Sequence, residues 1–389
     1  MDFRLGAKSD VFRDEVRAFL RDHLPEDMAD RAHATGTNHD WRVHRALGEQ
    51  GWIAASWPKE YGGQDRDPFE MTAMRDELRL AGVPTDGLGQ SVIVARTIRA
   101  VGSETQKQRF LPPFLAGEII FALGYTEPDS GSDVAAAKTR AVRDGDDWII
   151  DGQKMFTTLA HEAAYVFLLT RTNPDVPKHR GLTMFLVPLD APGVEIHPVH
   201  TMGGERTNAT FYSGVHVPDA LRVGEIDGGW DVMTVALTFE RGGFALSEAD
   251  RVWQQTVDWA TTTRRTDGAR VIDDPLVRER LAVMRVHDEV ARLLALRCSY
   301  VAATGAMPGV EGSMHKLFYA ESMTADAAEL VDMLGVDGVL SHGDAEAPVD
   351  GWVEHLYRHA AVTTIYGGTS EVQRDIIASR GLGLPRSRR

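Results

Sequence analysis

Cysteine is nearly absent: the 389-residue chain holds one, Cys298, which excludes an intramolecular disulfide and a cysteine-rich zinc site. No apolar run approaches the length that a membrane-spanning helix needs. The opening stretch MDFRLGAKSD has no cationic segment followed by an apolar one, so no secretory leader is expected. Long Lys/Arg runs are missing as well, and the formal net charge is -15. A nucleic-acid partner is therefore not expected, because phosphate binding wants a basic face. The 14 histidines are scattered without an H-E-x-x-H or comparable spacing, and no metal site is expected. Neither an internal repeat nor a low-complexity segment is present. What remains is the expectation of a soluble, cytoplasmic protein long enough for two or three domains.

The hydrophobic period changes twice. From Ser9 to about Gly117 it is helical, with Phe12, Val16, Phe19 and Leu20 on one face of a first helix that Ser9 or Asp10 caps. Breaks at Pro58 to Gly63 and at Pro112-Pro113 separate the helices. From about Ile119 short β-rich runs follow, Trp148 to Asp151, Tyr165 to Thr170 and Leu182 to Leu189, with Asp-Gly turns between them. After Gly228-Gly229 the helical period returns, and Val283, Val286, Val290, Leu293 and Leu294 form one long stripe, read as core or subunit interface. The expected fold class is α+β and multidomain: a helical domain over 1–120, an antiparallel β domain over 121–226 and a helical bundle over 227–389.

Three stretches carry special residues. In FALGYTEPDSGSDVAAA, Phe121 to Ala137, hydroxyls and free backbone donors gather in one loop, which suits an extended polar cofactor; a polar interdomain turn is the alternative. DGQKMFTT, Asp151 to Thr158, is read as a strand that presents Phe156 and Thr158 on one face, with Phe156 in the core as the plainer reading. In MTVALTFERGG, Met233 to Gly243, Glu240 and Arg241 interrupt an apolar helix before paired glycines. Glu240 is either a solvated turn residue or a carboxylate whose pKa burial raises for proton abstraction. Near the end, IYGGTSEVQRD places Gly367, Gly368 and Thr369 ahead of a helical segment. The glycines let backbone N–H groups approach a ligand, yet nothing from Tyr366 to Thr369 can move a proton.

TEPDSGSD, DGQKMFTT, WPKEYGG (Trp57 to Gly63), GSETQKQRFLPPFLAGE (Gly102 to Glu118) and IYGGTSEVQRDIIASRGLGLP together resemble the acyl-CoA dehydrogenase family, in its order and over essentially the whole chain. The resemblance implies a helical N-terminal domain, a middle β domain and a C-terminal four-helix bundle. It also implies non-covalent FAD, an acyl-CoA substrate dehydrogenated to the trans-2-enoyl thioester, and electrons handed to an electron-transferring flavoprotein. By the same resemblance Tyr125, Thr126, Thr157 and Thr158 lie along the flavin, Phe156 takes the place of the usual tryptophan beside its ring, and Ser132 contacts CoA. Gly367 donates its N–H to the thioester oxygen, Tyr366 and Gly368 flank the substrate, and Thr369 and Glu371 lie near the flavin.

Most members of the family carry the catalytic glutamate in the Tyr-Glu-Gly-Thr loop, where this chain has Gly367. A smaller group, including isovaleryl-type and long-chain dehydrogenases, places it on the first C-terminal helix in a Leu-x-x-Glu-Arg pattern. LTFER matches that pattern, which assigns the base to Glu240, with Arg241 positioning base or substrate. The glycine leaves room for branched, long or ring-bearing acyl groups. Two elements that in the family reach a neighbouring subunit's FAD are altered. Arg264 and Gly268 survive, but Asp267 and Pro275 replace the aromatic and the amide, and Asp332 stands where a glutamine is usual, with Val336 interrupting its glycines. Two assemblies fit, a homotetramer or an α2β2 hetero-oligomer with fewer flavins than subunits, as in relatives acting on sterol side chains. A non-catalytic partner subunit and a flavin oxidase or monooxygenase are the competing readings. Intact Glu240, Thr126 and Thr158 count against the first, and intact Glu240 counts against the second.

Overall fold

A computed structural model describes residues 5–241, 248–306 and 308–385, and for Glu240, Arg241 and Glu248 the backbone only. Six helices build the N-terminal layer: α1 (Ala7–His23), α2 (Met28–Thr35), α3 (Trp41–Glu49), α4 (Pro68–Leu80), α5 (Asp86–Val101) and α6 (Glu104–Leu115). Phe12, Val16, Phe19 and Leu20 are all buried, so the spacing reads the inner face of α1 correctly. Its start is earlier than a Ser9 or Asp10 cap implies. Ser9 lies inside the helix and its hydroxyl donates to the Leu5 carbonyl at 3.2 Å, so it serves a carbonyl one turn back instead of capping an N–H. Pro112 and Pro113 do not separate helices; both lie in the last turn of α6. A proline nitrogen cannot donate, but its carbonyl still accepts, and the Ala116 N–H reaches the Pro112 oxygen at 3.0 Å. The break falls one turn later.

Local chemistry sets where α4 and α6 begin, through reciprocal capping boxes of Asp67 with Glu70 and Ser103 with Gln106. Gln106 also ties helix to sheet: its Nε2 donates to the carbonyls of Ala220 and Arg222 at 2.9 and 2.7 Å.

The middle layer is one sheet of β1 (Phe121–Gly124), β2 (Arg140–Asp144), β3 (Asp147–Lys154), β4 (Tyr165–Arg171), β5 (Leu182–Pro188), β6 (Val194–His200), β7 (Arg206–Pro218) and β8 (Arg222–Val223). The order is β6-β7-β3-β2-β4-β5-β8, with β1 alongside β4. Pairing is antiparallel apart from β1–β4 and a single β2–β4 pair, which are parallel. Val166 to Leu169 and Met184 to Val187 are buried without alternation, the pattern of strands covered on both faces. Helix α5 packs on β1 and α7 on β5.

The C-terminal layer comprises α7 (Gly229–Arg241), α8 (Glu248–Thr262), α9 (Pro275–Ala303), α10 (Val310–Leu334), α11 (Trp352–Thr363) and α12 (Ser370–Ile376). Val232, Met233 and Ala236 of α7 join the core shared by the N-terminal layer and the sheet. Leu281, Met284, Met323, Leu330 and Leu356 centre a second core among the remaining helices. The stripe on α9 divides along its length: Val283 and Val286 are 47% and 60% exposed, whereas Val290, Leu293 and Leu294 are half-buried.

Candidate active site

The loop leaving β1 and the end of β3 are locked together by a buried ion pair. The Lys154 side chain is fully buried and its Nζ lies 2.8 Å from Glu127, itself 6% exposed. Nζ also donates to the Tyr125 carbonyl at 3.2 Å. The carboxylate accepts two more donors, the N–H groups of Lys138 and Thr139 at 2.7 and 2.9 Å. Burial alone would raise the Glu127 pKa, but Lys154 and the backbone donors outweigh it and hold the acid below its ordinary range. Burial pushes Lys154 down to about 8, with Glu127 opposing. Sequence reading missed both residues, although each sits inside a motif it singled out.

Beyond Lys154 the chain leaves the sheet, so Phe156 and Thr158 do not share a strand face. Phe156 and Leu159 both adopt positive φ, 56° and 59°, a conformation that strains non-glycine residues by about 1–3 kcal/mol each. Phe156 is 58% exposed, which overturns its reading as core and leaves a ring presented outward. The strain is held by strand β7. Thr157 donates its N–H to the Asn208 carbonyl at 2.8 Å, and Asn208 Nδ2 donates to the Thr157 carbonyl at 3.0 Å. The Thr157 and Thr210 hydroxyls meet at 3.4 Å, and those of Thr158 and Thr207 more loosely at 3.5 Å. Thr126 joins through its carbonyl, which accepts the Met155 N–H at 2.9 Å. Asn208 is fully buried; its signal in the sequence was a polar run, Thr207 to Thr210, inside a strand.

Ser132 is exposed. Ser130 is buried, and its hydroxyl has no partner among the described residues, so it is the orphaned polar atom of this loop.

On the helical side, Gly367 and Gly368 take φ of 64° and 90°. Gln373, 1% exposed, donates from Nε2 to the Gly367 carbonyl at 2.8 Å. A Cβ on Gly368 would come within 2.7 Å of that same nitrogen, so the turn requires glycine there. Thr369 caps α12, its hydroxyl accepting the Val372 N–H at 3.2 Å. The exposed Glu371 is held below its ordinary pKa by its own backbone N–H and the Thr369 hydroxyl. Among the described residues no acceptor takes the N–H of Gly367 or Gly368. Tyr366 is 49% exposed, with Lys316 Nζ 5.9 Å from its ring centre. The loop is tied to the sheet layer through α11: Arg358 donates to the Met202 carbonyl at 2.8 Å, His359 pairs with Glu205, and the His359 ring lies 6.3 Å from that of Tyr366.

Glu240 and Arg241 occupy the last turn of α7; their side chains lie outside the described residues. Arg264 is exposed and donates to the Gly268 carbonyl at 2.8 Å. Asp332 is likewise at the surface, paired with Arg280 at 2.7 Å.

The residues suit FAD on three structural grounds: a buried hydroxyl at Ser130 and N–H groups at Gly367 and Gly368 that no described residue takes, and an outward aromatic at Phe156. Layered fold and site together define an oxidoreductase of the helical–sheet–helical class that acts on acyl thioesters. The chain belongs to the acyl-CoA dehydrogenase family, whose N-terminal, middle and C-terminal domain models match residues 7–118, 122–214 and 227–382. It is 41% identical over 352 residues to the acyl-CoA dehydrogenase FadE26 of Mycobacterium tuberculosis (strain ATCC 25618 / H37Rv), covering 88% of this chain and 87% of that one. Among solved structures it is similar to the Tcur3481-Tcur3483 steroid ACAD, with TM-score 0.89, 38% identity and 100% of each chain covered. The ChsE4-ChsE5 complex from Mycobacterium tuberculosis matches with TM-score 0.90, 37% identity and 100% of each chain covered. No helix among the described residues is long and apolar enough to cross a membrane.

Proposed function

We propose that this chain carries out FAD-dependent α,β-dehydrogenation of a branched, long or ring-bearing acyl-CoA, giving the trans-2-enoyl thioester. The observation that carries the reading is the loop at Gly367: a glycine turn, its carbonyl anchored by Gln373, whose N–H donors no described residue takes and which carries no acid. The Gly367 N–H hydrogen-bonds the thioester oxygen and so acidifies the α-proton. Glu240, delivered by the last turn of α7, takes that proton, and Arg241 positions it or the substrate. FAD, when bound, supplies the acceptor for the hydride that leaves the β-carbon. Tyr125, Thr126, Thr157, Thr158, Thr369 and Glu371 hold the cofactor, Phe156 covers its ring, and Ser132 meets CoA. Electrons then pass to an electron-transferring flavoprotein in the cytoplasm.

Anaerobic titration of the FAD-loaded protein with short, branched, long and steroid-side-chain CoA thioesters tests this. Flavin bleaching is expected, and Glu240→Gln is expected to slow it by about 1,000-fold or more, since general-base removal alone costs about 100- to 10,000-fold. Bleaching that survives Glu240→Gln removes the assignment of the base.

A second assembly has its own support. Asp332 is engaged by Arg280 and Arg264 by its own turn, so this chain offers a neighbour's pyrophosphate little, and two similar structures carry paired names. We infer an α2β2 hetero-oligomer in which a partner completes the site; one FAD per chain in the isolated homo-oligomer argues against it.

A further inference from the structure

A chain with formal charge -15 nonetheless half-buries three arginines on neighbouring turns of two helices, and one of them, Arg96, has no anion partner among the described residues. Arg75 belongs to α4, and Arg96 and Arg99 to α5. The charges that act on Arg96 are those of Arg75 and Arg99, both repulsive, and burial together with this repulsion lowers its pKa to about 10, which still leaves it protonated at neutral pH. Among the described residues no carboxylate and no hydrogen-bond acceptor pairs with Arg96. Arg75 has a single acceptor, the Thr72 hydroxyl at 3.3 Å from Nη2, and its Nε is buried without a partner. Arg99 lies over the rings of Trp57 and Tyr61, 4.7 and 5.5 Å from their centres, and its Nη1 is buried without a partner. The acid that acts on Arg75, Asp76, has its pKa raised by burial to about 6, against the pull of Arg79, Arg75 and Arg13, and at neutral pH it is still largely ionised, so it meets Arg75 but is not among the charges that act on Arg96.

Removing even part of a guanidinium from water without an anion is unfavourable. Such a group persists where a ligand supplies the anion, and the planar fork of arginine matches a carboxylate. The place is informative too. Arg96 lies 5.8 Å from the ring centre of Phe239 on α7, and Phe239 is the residue before Glu240. We propose that Arg96, backed by Arg75 and Arg99, is a specificity-determining site for a free carboxylate on the acyl group, so that the substrate class is carboxyacyl-CoA, the mono-thioester of a dicarboxylic acid. This rests on the dehydrogenase reading above, with Glu240 acting on the α-carbon and the arginines receiving the far end of the same acyl chain. Gln90, whose Oε1 is also buried without a partner on α5, offers its amide to a protonated or hydroxylated neighbour of that carboxylate.

The test uses FAD-loaded protein and glutaryl-, adipyl- and suberyl-CoA, each beside its ω-methyl ester. Binding is read on Glu240→Gln protein by calorimetry, and turnover by flavin bleaching on wild type. The free acids are expected to exceed their esters by at least about 30-fold in affinity and in kcat/KM. Arg96→Gln is expected to bring that ratio to about one, and Arg96→Lys to restore part of it. Esters that bind and react as well as the acids in the wild type overturn the proposal, whether or not the variants fold. Tighter binding of the acids with no bleaching by any thioester upholds the carboxylate site and overturns the dehydrogenase reading instead.

Discussion

Lys154 illustrates how one residue sets the geometry of two loops. Its ammonium is the only side-chain cation bonded to Glu127 among the described residues, and the same carboxylate orders Lys138 and Thr139. Replacing it by methionine leaves Glu127 charged and buried with backbone donors alone. Breaking one half of a buried pair costs about 3–5 kcal/mol. Urea denaturation of Lys154→Met is expected to show a loss of that order, with lowered FAD content in the purified protein. The double variant Lys154→Met, Glu127→Gln is expected to recover part of the stability, because no buried charge is then left unpaired. A single and a double variant with equal losses would mean that the pair contributes by shape only.

At the scale of elements, what periodicity encodes was legible and what strain encodes was not. The inner face of α1, strands β3, β4 and β5, and the helical segment after Thr369 follow from spacing and composition. The parallel pairing of β1 with β4 has no local signature, since it depends on which strand the chain later lays beside Phe121 to Gly124. The exit from β3 misleads in another way. Met155 to Thr158 reads as a continuing strand, yet a positive φ at Phe156 turns it outward, and the partner that sustains the turn, Asn208, lies about fifty residues away in sequence. Asn208→Ala is therefore expected to cost about 1–3 kcal/mol, the penalty for leaving the Thr157 carbonyl unserved. It is also expected to quench less flavin fluorescence on reconstitution, as the Phe156 turn relaxes. Unchanged stability and unchanged FAD binding would assign the turn to its own backbone.

The whole molecule is joined outside the active site by charge as well as by apolar packing. Helix α4 of the N-terminal layer meets α8 and α9 of the C-terminal layer, with Asp250 accepting Arg79 at 2.7 Å and Arg285 at 3.1 Å. The Thr72 and Ser299 hydroxyls meet at 2.9 Å across the same contact. Sequence reading separated these layers from their periods but had no means of seeing contacts such as Arg79 with Asp250 and Thr72 with Ser299, whose partners lie 171 and 227 residues apart. Asp288 is the surplus acid. Its Oδ2 is buried without a partner, and burial, reinforced by Asp250 and Asp326 against Arg285 and Arg79, raises its pKa to about 7. In the unfolded chain Asp288 ionises near pH 4, whereas in the fold it stays protonated until about 7. The folded state thus holds the extra proton between these values, so this group's contribution to stability declines as pH rises from about 4 to 7 and its full cost is present above that. Asp288→Asn removes the ionisation and keeps the shape. Thermal denaturation from pH 5 to 9 is expected to show the variant gaining a few degrees at pH 8, about 2–4 °C for each kcal/mol in a chain of this size, and less at pH 5. A gain that does not change with pH would mean that Asp288 is already charged in the fold, with the joint between the layers tolerating that charge.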